Sequence, residues 1–108
     1  MLTPKNYVLL TAESMGASFV SPAIPLLFYY GCSIQAVWTG GTAAGSLFLT
    51  VSNDDVTYST YTGSATTVAG AGDFMWDVVQ SNVKFVKLNF TRSGGTGSCS
   101  ATVQGKTV

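Results

Sequence analysis

Cys32-Ser33-Ile34-Gln35-Ala36-Val37-Trp38-Thr39 alternates with a period of two. Cys32, Ile34, Ala36 and Trp38 share one face. Ser33, Gln35 and Thr39 share the other, with Val37 the exception. Successive side chains of a strand point to opposite faces, so this stretch reads as a half-buried strand. Gly40-Gly41 ends it, and a loop runs on to Gly45. Residues 46–51 form the next strand, with Leu47, Leu49 and Val51 inward. Ser52-Asn53-Asp54-Asp55 is a turn, because Asn and Asp tolerate left-handed backbone angles and bond to their own backbone. Residues 56–61 are expected to return as a strand.

Further along, Gly63-Ser64 breaks the chain, residues 65–68 make a short strand, and Gly70-Ala71-Gly72 turns. Phe74, Trp76 and Val78 then share a face. The cleanest alternation is Lys84 to Thr91: Val86, Leu88 and Phe90 point in, and Lys87, Asn89 and Thr91 point out. Arg92-Ser93-Gly94-Gly95-Thr96-Gly97 has the composition of a hairpin turn. It predicts antiparallel pairing between the strand ending at Thr91 and a last strand that puts Cys99, Ala101 and Val103 inward. The count is about seven or eight short strands with turn signals about every 8–12 residues, which marks an all-β sandwich or barrel. Residues 1–31 differ. Alternation is poor, Pro22 and Pro25 interrupt, and apolar groups cluster. One or two strands plus an extended arm is the expectation there, with residues 32–108 forming the sandwich core of a single domain.

Charged residues are only 9% of the 108 residues, and the formal net charge is zero. Nucleic-acid binding through clustered Lys and Arg is therefore excluded as a main function. The chain has no histidine. That removes the commonest general base and the commonest transition-metal ligand. A neutral, apolar, Gly- and Thr-rich chain suits a molecule packed against copies of itself or partners. The alternative is an ordinary β domain whose surface is Ser, Thr, Asn and Gly. The apolar stretch 15–30 holds Ser18, Ser21, Pro22 and Pro25, too broken for a spanning helix, and Glu13 interrupts the earlier apolar run. Synthesis in the cytoplasm, with no membrane partner, is the expectation. Cys32 and Cys99 form no C-x-x-C motif. Both fall at inward positions, where they could bridge if their strands are neighbours. Reduced thiols are expected in a cytoplasmic setting.

With the strands placed, residues 32–106 resemble small virion proteins of tailed bacteriophages. The resemblance is carried by Ser33-Ile34-Gln35-Ala36-Val37-Trp38-Thr39-Gly40 and by Gly45-Ser46-Leu47-Phe48-Leu49-Thr50-Val51-Ser52-Asn53-Asp54. It continues in Gly72-Asp73-Phe74-Met75-Trp76-Asp77-Val78 and in Phe85-Val86-Lys87-Leu88-Asn89-Phe90-Thr91-Arg92-Ser93-Gly94-Gly95-Thr96-Gly97. Those proteins are β-sandwich or jelly-roll structural components of the particle: capsid decoration (cement) proteins, head-fibre bases and tail-associated modules. Asp55 stands where such chains often carry Gly, and Lys87 where Arg is usual. A bidentate contact made by Arg at that position would be weakened here.

Catalysis finds little support in the residues. Asp73 and Asp77 share a strand face four residues apart, about 13 Å, too far for a glycosidase pair. Asn53, Asp54 and Asp55 offer fewer oxygens than calcium needs and read as a turn. The glycines of 94–97 lack the Lys-Ser/Thr and helix of a phosphate loop. Without histidine, Ser-His-Asp and Cys-His arrangements are unavailable. No catalytic, cofactor or metal residues are therefore expected. The expected role is a decoration or cement protein in the virion, made in the bacterial host. It would bind the major capsid protein and copies of itself through apolar and strand-edge contacts. The candidate contact residues are Phe19, Ile24, Leu26, Leu27, Phe28 and Tyr29 of the arm. The competing expectation is a receptor- or carbohydrate-binding module using loops 40–45, 52–55, 62–64 and 92–97, with Tyr58 or Tyr61 as a stacking platform.

Overall fold

The computed structural model describes residues 6–26, 31–78 and 84–106. Ten strands cover them: β1 Asn6–Ser14, β2 Phe19–Val20, β3 Ile24–Pro25, β4 Gly31–Thr39, β5 Ala44–Ser52, β6 Ser59–Thr60, β7 Thr66–Ala69, β8 Gly72–Val78, β9 Phe85–Gly94 and β10 Ser98–Lys106. One sheet has the order β1-β10-β4-β8. In the other, β9 and β5 are central, β2 and β3 line the outer side of β9, and β6 and β7 line the outer side of β5. All pairings are antiparallel. Taking β2 with β3, and β6 with β7, as single interrupted strands leaves two four-stranded sheets in the double Greek-key order of a jelly roll. The antiparallel β-sandwich read from the sequence is the fold.

The period of two places the core. Cys32, Ile34 and Ala36 are fully buried and Trp38 is nearly so. They meet Leu47, Leu49, Val86, Leu88 and Phe90 from the facing sheet, with Trp76, Val78, Cys99, Ala101 and Val103 completing the layer. Each large aliphatic side chain so buried contributes about 1.5–3 kcal/mol.

Three expectations are corrected. First, β9 and β10 do not pair. β9 pairs with β5, and β10 lies between β1 and β4 in the other sheet. The Gly-rich segment is a crossing between sheets, and Gly95 and Gly97 are there for close approach. Gly95 has a φ of 70°, and a Cβ on it would sit 1.7 Å from the Thr42 carbonyl oxygen. Second, residues 56–61 do not return as a full strand; only Ser59–Thr60 pairs with β5. The Asp54 carboxylate accepts the N–H groups of Val56 and Thr57, each at 2.9 Å, and takes them from any ladder. Asp55 adopts a left-handed φ of 61°, the conformation Gly would favour there. Third, the N-terminal segment contributes three strands over residues 6–26. β1 pairs along β10, and β2 and β3 pair with β9.

Both interrupted edge strands are bridged by a buried serine. Between β2 and β3, Ser21 donates its N–H to the Leu88 carbonyl at 2.8 Å, and its hydroxyl accepts the Leu88 N–H at 2.9 Å. Between β6 and β7, the Ser64 hydroxyl accepts the Leu49 N–H at 3.0 Å. The Trp76 indole N–H donates to the Ser64 carbonyl at 2.6 Å, tying the two sheets along that side.

Candidate interaction surface

Of the residues expected to form a contact arm, the structure buries Ile24 and Leu26 and half-buries Phe19. Ile24 is 1% exposed opposite Val86, and Leu26 is 5% exposed with its N–H on the Lys84 carbonyl. Phe19 is half-buried, its ring 5.4 Å from that of Phe90. Leu27, Phe28 and Tyr29 lie outside the described residues. Apolar surface is offered elsewhere.

It lies on the outer face of the β1-β10-β4-β8 sheet. The register aligns Val8, Thr102, Gln35 and Met75 in one row across all four strands. Ser100, Val37 and Asp73 form the next row. Val8 is 62%, Met75 56% and Val37 44% exposed. Val8, Gln35, Val37, Ser100 and Thr102 line a shallow groove of about 390 Å³. Small hydroxyl and amide side chains fill the rest of the face. Asp73 ends the second row, and Asp77, opposite Ser33 in a further row, lies on the other side of Met75 along β8.

The loops proposed for recognition divide. The 40–45 and 92–97 loops meet at one end, where the Thr42 hydroxyl donates to the Thr96 carbonyl and accepts the Thr96 N–H, both at 3.0 Å. The 52–55 loop is at the other end of β5. Residues 62–64 lie along the side, with Ser64 buried. Trp38 and Trp76 are core residues, and Tyr61 packs against the core.

The 52–59 loop is internally bonded. Three donors converge on one Asp54 oxygen: the Ser52 hydroxyl and the N–H groups of Val56 and Thr57. They hold its carboxyl below the ordinary range, with the Thr57 and Val56 bonds the largest causes. The Tyr58 hydroxyl donates to Asp55, and the Lys87 ammonium sits 4.3 Å from the Tyr58 ring centre. Desolvation first, then this bond to Asp55, pushes the Tyr58 phenol up to about 12. A groove of about 330 Å³ beside the loop is lined by Ser52, Asn53, Asp54, Thr57 and Ser59 with Val51.

Among the described residues, no group of three or more His, Cys, Asp or Glu side chains could hold a metal. Cys32 lies opposite Gly105, and Cys99 opposite Trp38, so the thiols sit six residues apart along the β4–β10 pair. That is about 20 Å, beyond the reach of a disulfide, and none forms. Burial, with a smaller effect of Glu13, pushes the Cys99 thiol up to about 11.

No family model and no curated protein sequence matches the chain. Solved structures do. The SPBc2 prophage-derived protein YomS superposes with a TM-score of 0.61 at 9% identity, covering 96% of both chains. A chain from the structure of infectious bursal disease virus, Gx strain, superposes with a TM-score of 0.58 at 14% identity. The match covers 94% of this chain but spans only 31% of the viral one. At these identities the likeness is one of fold, and it extends across almost the whole of this β-sandwich.

Proposed function

We propose that the chain is a non-enzymatic structural protein of a virus particle. More narrowly, it decorates or cements the shell of a tailed bacteriophage, in several copies, by docking on the major capsid protein. The observation that carries this reading is the fold likeness, over nearly the full chain, to a prophage-derived protein and to part of a virus-structure chain. The outer face bearing Val8, Val37 and Met75, with its carboxylates Asp73 and Asp77 confined to β8, supplies a docking surface of suitable chemistry. Apolar burial there supplies a modest affinity per copy, and repetition over a shell multiplies it. The absence of histidine and the wide spacing of Asp73 and Asp77 support a role without catalysis.

The test is removal. Particles assembled without this chain should lose their contents at lower temperature or milder osmotic shock than complete ones, and added protein should restore them. Particles of unchanged stability would count against cementing. The polar groove beside Asp54 and Thr57 supports a second reading, recognition of a hydroxylated ligand such as a glycan. Glycan binding lost on Thr57→Val would favour it.

A further inference from the structure

We draw no further inference here: the strongest candidate, the shallow apolar groove between Val8, Val37, Ser100 and Thr102 on the outer face of the β1-β10-β4-β8 sheet, belongs to the docking surface already described, and nothing in the structure shows what covers it.

Discussion

Ser21 and Leu88 exchange a reciprocal pair of hydrogen bonds, 2.8 Å from the serine N–H and 2.9 Å to the serine hydroxyl. The hydroxyl takes the place of a backbone carbonyl where Pro22 interrupts the edge strand, so the Leu88 N–H stays paired inside the sandwich. Ser64 does the same for Leu49 on the opposite side. Replacing either serine by Ala leaves a buried N–H without a partner, at a cost of about 1–3 kcal/mol. Ser21→Ala and Ser64→Ala should each lower the denaturation midpoint with an unchanged m-value. The two losses should add, because the sites lie on opposite sides of the sheet and share no partner.

Adjacent glycines separate a required glycine from a replaceable one. A Cβ at Gly95 would lie 1.7 Å from the Thr42 oxygen at a left-handed φ, whereas one at Gly94 meets nothing within 4 Å. Gly95→Ala should cost several kcal/mol, on the order of 3 or more, while Gly94→Ala stays within about 0.5 kcal/mol of wild type. Urea denaturation of the pair measures the difference. Equal stabilities would contradict the sheet-crossing role of this segment.

Ile24 is a core residue in the structure, although the sequence suggests a contact arm. Ile24→Ala should lower stability by about 2–5 kcal/mol. Val8→Ser, on the exposed face, should change stability by less than about 0.5 kcal/mol and weaken shell binding. Thermal melts and co-sedimentation with shells lacking the chain check the two together. An Ile24→Ala protein with an unchanged melt would restore the arm reading.

Two groups in the 52–59 loop give opposite pH responses. Asp54 is held below its ordinary value of 3.8, so its contribution is complete above that value and is lost as pH falls through the lowered one. Tyr58 is raised from 10.0 to about 12, so its contribution is complete below 10 and is lost as pH rises toward 12. In tyrosine-labelled protein, the carbon-13 ring signal that Tyr58→Phe abolishes should titrate near 12. Asp55→Asn should lower it only part of the way, because desolvation, the larger cause, remains. A midpoint unchanged by Asp55→Asn would contradict the Tyr58–Asp55 bond.

Alternation made the faces legible. The inward positions of 32–38 and 86–90 are buried as read, because a period of two states directly which side chains meet the core. It does not state which strand is the neighbour. Thr91 and Ser98 flank a segment with hairpin composition, yet the chain changes sheets there. Glycines that permit a tight turn also permit close backbone contact, and only the Thr42 and Thr39 carbonyls in space tell the two apart. The strand expected over 56–61 failed because a side chain, Asp54, outcompeted the ladder for two N–H groups. The N-terminal segment hid its burial because Pro22 and Pro25 break its period, leaving Ile24 and Leu26 to enter the core from separate short pieces. The acidic flanks of β8 were visible as two carboxylates four apart on one strand face. That their strand forms an edge depends on topology.

The central claim, a repeated structural component of a particle shell, is tested most directly by counting. Quantitative mass spectrometry of purified particles encoded by the same genome, against the major capsid protein, gives the copy number. The account predicts copies comparable to the shell protein. A handful of copies per particle, or none, would contradict it.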